Sequence, residues 1–359
     1  MEKYMKRALE LAKKGWGHTN PNPLVGAVIV KNGKIIGEGY HEYFGGPHAE
    51  INALKSAVDD VDGATMFVTL EPCSHFGKTP PCSNAIIKSG IKEVYIAMED
   101  PNPMVRGRGI KMLQEAGINV YLGMMEKEAE KLNEIFIKYI TTKLPFVILK
   151  SAMSIDGKIA CYTGDSKWIT GEKSRKYVHN IRGRVSAIMV GVNTVIKDNP
   201  HLTARIEGYK SPTRIVVDSK GRIPLDSNVI NDKSARTIIA TTELMSDNIR
   251  RKLKERDIDI IELKNSNGRV PLKELMVKLG EQSIDSVLIE GGGTLNWSVL
   301  EEAVADKIMF FIAPKIIGGK DAITSVEGKG FSKVMDSINL RDIEIERIED
   351  DILISGYIK

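Results

Sequence analysis

The stretch EPCSHFGKTPPC, residues 71–82, contains two cysteines, a histidine, a lysine and three prolines, directly after the apolar run ATMFVTL at 64–70. Cys73 and Cys82 are open to three interpretations: a disulfide, a pair of metal ligands, or no special role. The motif HAE at 48–50 adds a histidine and a glutamate upstream. The remainder of the chain decides among these interpretations.

Composition narrows the class of protein. The 359 residues suffice for two domains, and 42% of them are hydrophobic, which is enough to fill real cores. The net charge of +4 is spread along the chain without a basic stripe, so we predict no nucleic-acid partner. The N-terminal helix pattern lacks the unbroken apolar core of a signal peptide, and no window approaches the roughly 20 apolar residues of a membrane span. We therefore expect a cytoplasmic protein with no membrane association.

The cysteine content argues against a disulfide framework. The chain has three cysteines, and the third, Cys161, stands alone after DGKIA. Because the cytoplasm keeps thiols reduced, a metal site or a catalytic thiol is the better interpretation of Cys73 and Cys82.

Two series of strand and helix patterns divide the chain. In the first, LVGAVIV and IIGEGY flank KNGK, whose Asn-Gly pair predicts a hairpin, and helical segments then alternate with further strands. A long amphipathic helix over 126–142 ends before Pro145, where a second series of strands begins. The tail, 308–358, is mostly β-like. We predict an α/β protein with a three-layer α/β/α domain at 1–144 and a separate α/β domain at 145–359.

The first domain carries the parts of a zinc deaminase. His48, Cys73 and Cys82 would supply nitrogen and thiolate ligands and leave the fourth position of the metal for water. Glu50 follows His48 by two residues at the start of a helix, close enough to move a proton to and from that water. The water would attack an amidine-type ring carbon, which then loses ammonia. We predict one zinc ion per chain, with Glu50 as the catalytic acid and base.

Eight residues separate the two cysteines, whereas the commonest deaminase signature has two. With TNPNPLVGAVIV at 19–30 and EDPNP at 99–103, the motifs HAE and EPCSHFGKTPPC resemble the deaminase half of the RibD (RibG) family of bifunctional riboflavin biosynthesis proteins. The resemblance implies a cytidine-deaminase-like fold and hydrolysis of the 2-amino group of 2,5-diamino-6-ribosylamino-4(3H)-pyrimidinone 5′-phosphate. Positions near the pyrimidine or its phosphate are then Asn22, His41, His75, Lys78, Asp100 and Asn102. Asn22 and Asn102, each in Pro-Asn-Pro, also suit turns, and His41 also suits an exposed loop.

A glycine-rich turn marks the second domain. SVLIEGGGTLNW at 286–297 runs from an apolar strand through three glycines into a helix, which lets the backbone approach a phosphate. It lacks the full GxGxxG fingerprint, so a purely structural turn is the alternative. LKSAMSIDGKIA, SKWIT and GVNTVIKDNPHLTAR precede it in the order found in the reductase half of the same family. That half is similar to dihydrofolate reductase in fold.

This resemblance implies NADPH-dependent reduction of the ribosyl group to ribityl after deamination, giving 5-amino-6-(5-phosphoribitylamino)uracil. Lys150 and Asp198 are candidate proton donors, and the sequence does not choose between them. Lys220 and Arg222 are candidates for recognising NADPH rather than NADH, although either also suits a solvated surface. Family members form homo-oligomers, so we expect one here. Implied substrate contacts are Ser166, Arg182, Leu202, Arg205 and Glu290, and implied cofactor contacts are Ala152, Trp168, Thr170, Thr194, Asp198, Ser219, Gly292, Gly293, Thr294, Leu295, Asn296 and Trp297.

Two other functions stay open on the sequence alone. A nucleobase or transfer-RNA deaminase fused to a binding module would carry a basic, aromatic groove and the short cysteine spacing, and this chain shows neither. A non-catalytic zinc protein would close the metal with a fourth ligand, for which His75 is available, and would not need Glu50.

Overall fold

The computed structural model describes residues 1–74, 81–103 and 105–359, which form two compact units, Met1–Lys143 and Leu144–Lys359. In the part of the chain so described, no helix combines the length and the apolar composition that crossing a bilayer requires.

The first unit is built on a sheet that has five strands among its described residues, in the order β2-β1-β3-β4-β5. Strand β1 is antiparallel to β2 and β3, and β3, β4 and β5 are parallel. The elements are α1 (Glu2–Ala12), β1 (Gly26–Lys31), β2 (Lys34–Tyr40), α2 (Ala49–Lys55), β3 (Thr65–Leu70), α3 (Cys82–Lys88), β4 (Glu93–Met98), α4 (Arg108–Glu115), β5 (Asn119–Leu122), α5 (Glu126–Leu132) and α6 (Glu134–Thr142).

Helices cover both faces of this sheet. A Cβ added at Gly26 would lie 2.0 Å from the carbonyl oxygen of Ala8 in α1, whereas one added at Gly39 would lie 2.4 Å from that of Ala49 in α2. Because Gly39 pairs with Ala27, the neighbour of Gly26, the two helices lie on opposite faces. The predicted α/β/α layering is confirmed.

The hairpin prediction is also confirmed, since Asn32 and Gly33 both have positive φ between β1 and β2. The single helix predicted over 126–142 is wrong. Asn133 interrupts it because its buried side chain accepts a hydrogen bond from Leu24 N at 2.8 Å and donates one to Leu24 O at 3.0 Å.

The second unit has a nine-stranded sheet in the order β10-β9-β8-β7-β11-β6-β12-β14-β13, parallel from β10 to β12 and antiparallel beyond. Its elements are β6 (Phe146–Ser154), α7 (Glu172–Arg184), β7 (Ala187–Gly191), α8 (Val192–Asp198), β8 (Thr213–Val217), α9 (Asn228–Asn231), β9 (Thr237–Thr242), α10 (Asp247–Lys254), β10 (Asp259–Leu263), α11 (Leu272–Glu281), β11 (Ser286–Ile289), α12 (Gly293–Glu301), β12 (Lys307–Ala313), β13 (Leu340–Ile348) and β14 (Asp351–Ile358).

The carboxyl ends of the parallel strands meet at one edge of this sheet, which is where ligands bind in open α/β sheets. The β-like tail predicted over 308–358 is only partly right. Residues 314–339 contain no strand, because glycines there, including Gly318 and Gly328, have positive φ, a conformation that interrupts extended backbone.

Candidate functional site

The three predicted metal ligands converge in the first unit. His48 precedes α2, Cys73 follows β3, and Cys82 opens α3, so strand ends and helix starts position all three. His48 Nδ1 lies 3.6 Å from Cys73 Sγ and 3.2 Å from Cys82 Sγ, and the ligand atoms all lie within 4.8 Å of one another. Both cysteines are free, so the disulfide interpretation is excluded.

This donor set fits zinc. Two sulfurs and one imidazole nitrogen are borderline-soft donors that zinc accepts tetrahedrally, and three protein ligands are typical of a catalytic site with a fourth position for water. Hydrogen bonding from Cys82 and from His48 lowers the pKa of Cys73 to about 4. The same pairing, together with burial, raises the pKa of Cys82. Cys73 is therefore the cysteine that ionises first to a thiolate.

Glu50 is buried beside these ligands on the first turn of α2, and only 3% of its surface is exposed. Burial raises the pKa of its carboxyl group above the ordinary value, although the charge of His48 opposes the shift. A carboxyl group with a raised pKa can both accept and donate a proton near neutral pH.

His41 and Asn22 form a polar pair next to the metal ligands. The His41 ring lies 5.6 Å from the His48 ring in an edge-on arrangement, and its Nε2 lies 3.1 Å from Asn22 Nδ2. His41 is 3% exposed, so the exposed-loop interpretation is wrong. Burial lowers the pKa of His41, which favours a neutral ring that donates from Nδ1 to Pro47 O at 3.0 Å and accepts from Asn22.

Two further pyrimidine candidates, Asp100 and Asn102, lie on the loop after β4. Asn102 N donates to Asp100 Oδ1 at 2.8 Å, and this bond shapes the turn. His75 and Lys78 lie outside the described residues.

Sequence reasoning missed Glu71, whose side chain holds this loop in place through hydrogen bonds to its backbone. Its buried carboxylate accepts hydrogen bonds from Asp100 N at 3.2 Å, Gly107 N at 3.0 Å and Gly109 N at 2.8 Å. The available signal was an acidic residue at the end of an apolar strand, directly before Pro-Cys.

In the second unit, Lys150, Arg182 and Glu290 form a cluster whose side chains are only 13%, 15% and 10% exposed. Arg182 donates from Nε to Glu290 Oε1 at 2.7 Å and from Nη2 to Oε2 at 2.9 Å, and Lys150 Nζ lies 3.6 Å from Oε2. Burial alone would raise the pKa of Glu290, but the charges of Arg182 and Lys150 outweigh it and lower that pKa to about 2. Burial lowers the pKa of Lys150.

Arg182 Nη1 also donates to Thr203 O at 3.2 Å, and Arg205 Nε lies 3.4 Å from Thr203 Oγ1. Leu202 is buried in the core, so its side chain packs there.

His179, one turn before Arg182 on α7, was missed although the spacing in HNIR predicts a shared helix face. Burial, aided by the charges of Arg182 and Arg205, lowers its pKa.

A cleft of about 480 Å³ opens beside the glycine turn. Lys220 and Arg222 line this cleft. Three charged residues that were not predicted also line it: Lys197, Arg269 and Glu327. The predicted residues in its lining are Ser166, Thr194, Asp198, Ser219, Gly292, Gly293, Thr294 and Leu295.

Other predicted cofactor residues are not in this lining. Asn296 and Trp297 are buried, with Asn296 Nδ2 donating to Ser325 O at 2.8 Å. Thr170 is buried, and Ala152 pairs with Phe311 in the sheet. Trp168 is 63% exposed with Arg175 over its ring at 4.5 Å, so it is not a core residue.

Known proteins match both units. Residues 1–98 match the cytidine and deoxycytidylate deaminase zinc-binding region, and residues 145–354 match the RibD C-terminal domain. A riboflavin biosynthesis protein RibD of Actinobacillus pleuropneumoniae is 49% identical over 98% of this chain and 93% of its own length.

Solved structures agree. A diaminohydroxyphosphoribosylaminopyrimidine deaminase/5-amino-6-(5-phosphoribosylamino)uracil reductase from Thermotoga maritima is 42% identical with a TM-score of 0.88, covering 100% of this chain and 98% of its own. Acinetobacter baumannii RibD, form 1, is 37% identical with a TM-score of 0.89 over the same shares of the two chains.

The fold and these matches define a bifunctional enzyme, a zinc-binding deaminase joined to a reductase that uses a nicotinamide cofactor. The chain belongs to the RibD family of riboflavin biosynthesis proteins. The binding-module alternative fails, because residues 145–354 match a reductase domain.

Proposed function

We propose that residues 1–144 deaminate 2,5-diamino-6-ribosylamino-4(3H)-pyrimidinone 5′-phosphate and that residues 145–359 then reduce its ribosyl group with NADPH. The observation that carries the first half is the convergence of His48, Cys73 and Cys82 beside the buried carboxyl group of Glu50. The Thermotoga maritima protein, 42% identical, bears the names of both activities.

His48, Cys73 and Cys82 would hold the zinc ion. Zinc, when bound, activates a water molecule as a nucleophile at neutral pH. Glu50 accepts a proton from the attacking water and donates it to the departing nitrogen, so that a C–O bond forms, the C–N bond breaks and ammonia leaves. Its buried position and raised pKa suit both transfers.

The polar groups around this centre would orient the pyrimidine. Asn22 and His41 are already hydrogen-bonded to each other beside His48, and Glu71 holds the loop of Asp100 and Asn102. We assign substrate contacts to these four residues, and to His75 and Lys78 by family resemblance alone.

The cleft at the glycine turn would hold NADPH, which supplies the hydride. The N-terminus of α12 favours the pyrophosphate, and Lys220 and Arg222 after β8 favour the additional 2′-phosphate of NADPH over NADH. Thr194, Asp198, Ser219 and Gly292–Leu295 are the cofactor residues that the cleft supports, whereas Ala152, Trp168, Thr170, Asn296 and Trp297 rest on family resemblance.

Within the reductase, Lys150 is a better proton donor than Asp198. Lys150 is mostly shielded from solvent and lies beside Glu290, whereas Asp198 is exposed at the end of α8. Arg182 donates from Nε and Nη2 to Glu290 and from Nη1 to Thr203 O, so Arg205 is the more available arginine for the substrate phosphate. Ser166 and the backbone of Leu202 complete the proposed contacts.

We further propose a homo-oligomer in the cytoplasm. Ile343, Ile345 and Ile352 are 57%, 71% and 42% exposed on the terminal hairpin, and an exposed apolar sheet face favours a partner copy. Free cysteines at the metal site suit a reducing compartment.

One assay tests the function. The purified enzyme receives the diamino-ribosylamino-pyrimidinone phosphate, and ammonia release and NADPH absorbance are followed together, with and without a zinc chelator. We expect ammonia without NADPH, loss of ammonia on chelation, and NADPH oxidation only after deamination. NADPH oxidation without any ammonia would refute the proposed deaminase and its place in the order.

A further inference from the structure

Glu327 places a carboxylate over the glycine turn that begins α12. Its Oε2 accepts a hydrogen bond from Thr294 Oγ1 at 2.8 Å, and its backbone N–H donates to Gly293 O at 3.1 Å. The approach is so close that a Cβ at Gly293 would lie 2.4 Å from Glu327 Cγ. Both Glu327 and the turn line the cleft assigned above to the cofactor.

The backbone that carries Glu327 is held in place. Ile159 N donates to Ile323 O at 2.9 Å, Ser325 N donates to Gly157 O at 3.0 Å, and Asn296 Nδ2 donates to Ser325 O at 2.8 Å. Withdrawing this segment would break all three bonds. The side chain of Glu327 is therefore the part that can move when a ligand enters.

The charge of Glu327 is not neutralised locally. In residues 144–359, all of which are described, no lysine or arginine forms an ion pair with its carboxylate. Arg222, which lines the cleft after β8, donates instead from Nη2 to Asn193 Oδ1 at 3.0 Å. The carboxylate is instead hydrogen-bonded to Thr294 on the first turn of α12, whose N-terminus attracts anions.

We propose that Glu327 competes with the pyrophosphate of the dinucleotide for the N-terminus of α12 and thereby sets the affinity of the reductase for its cofactor. The inference rests on the proposed NADPH site. Cofactor binding turns the Glu327 side chain away from Thr294 and places two like charges near each other. Because NADPH and NADH share the pyrophosphate, Glu327 weakens the binding of both equally.

The test is Glu327→Gln, which removes the charge but keeps an oxygen that can accept from Thr294. Dissociation constants are measured by calorimetry for NADPH, NADH and adenosine 2′-monophosphate, which lacks the pyrophosphate. We expect the dissociation constants of NADPH and NADH to fall about three- to tenfold, which is the usual effect of one charge at a helix end. The dissociation constant of adenosine 2′-monophosphate should stay unchanged. Asp321→Asn, which removes one negative charge at an exposed position of the same loop, should alter none of the three dissociation constants.

Three results would overturn the proposal. Unchanged or weaker dinucleotide binding by Glu327→Gln would exclude competition, and weaker binding would make Glu327 a ligand of the cofactor. Equal tightening of all three nucleotides, or the same gain with Asp321→Asn, would indicate a general charge effect. If neither the wild type nor Glu327→Gln binds either dinucleotide, the proposed cofactor itself is wrong, and the inference fails with it.

Discussion

Arg182 and Glu290 connect α7 to the end of β11 through two parallel hydrogen bonds of 2.7 and 2.9 Å. Lys150 Nζ lies 3.6 Å from the same carboxylate, so two cations share one anion. The cluster of these three side chains therefore has an excess of positive charge, which suits a phosphorylated substrate.

Glu290→Gln should lower kcat/KM for the reduction by at least about 100-fold, because it removes the partner of a buried arginine and the counter-charge of Lys150. Ammonia release should not change, since its residues lie in the first unit. Both rates are measured on the same preparation. Glu281→Gln, an exposed glutamate of the same unit, is the matched control. Reduction at the wild-type rate would remove Glu290 from the site.

Lys150 should impose a decline in the reduction rate as pH rises. Burial lowers its pKa below the ordinary value of 10.5, and the protonated form that can donate is lost as pH rises through that lowered pKa. Glu290, with a pKa of about 2, stays ionised throughout. Single-turnover rates with the deaminated intermediate, measured from roughly pH 6 to pH 10, report this decline. Lys150→Met should reduce the intermediate slowly, and its rate should not decline as pH rises. The same decline in that variant would show that another group donates the proton.

Glu71→Gln should raise KM for the deaminase substrate about tenfold while zinc content stays constant. The amide replaces an acceptor with a donor that faces backbone N–H groups, at a cost of about 1–3 kcal/mol. Substrate kinetics and metal analysis are compared with Glu99→Gln, which breaks only the Arg106 surface pair on the same loop. A loss of zinc in Glu71→Gln would instead assign Glu71 to the support of Cys73.

Asn133→Ala should destabilise the first unit by about 1–3 kcal/mol, because the N–H and the C=O of Leu24 both lose their buried partner. Urea unfolding followed by tryptophan fluorescence and circular dichroism measures the change. Asn119→Ala, on an exposed position of β5, is the control and should stay within about 0.5 kcal/mol. Equal stability of the two variants would show that the hydrogen bonds between Asn133 and Leu24 do not stabilise the first unit.

The predictable parts of the site are the residues whose side-chain types alone indicate a chemical role, such as metal binding or proton transfer. His48, Cys73, Cys82 and Glu50 stand at strand ends and helix starts, where the alternating pattern of the chain can locate them. The five-stranded sheet and the parallel strands of the second unit follow from apolar segments in the same way.

Three of the missed residues, Glu71, Glu327 and Asn133, act through partners distant in sequence. Glu71 binds backbone groups of residues 36 and 38 positions away, and Glu327 meets Thr294 across 33 positions. Asn133 ends α5 by bonding Leu24, 109 positions earlier. No local pattern encodes such pairings, because each depends on how the chain folds back on itself.

Glu50→Gln tests the central claim most directly. Zinc content and ammonia release are measured for the wild type and for Glu50→Gln, with Glu115→Gln as an exposed control. We predict one zinc ion per chain in all three proteins and a loss of ammonia release of about 100- to 10,000-fold in Glu50→Gln alone, the usual contribution of a positioned acid and base. Ammonia release at the wild-type rate by zinc-loaded Glu50→Gln would contradict the proposed deaminase mechanism.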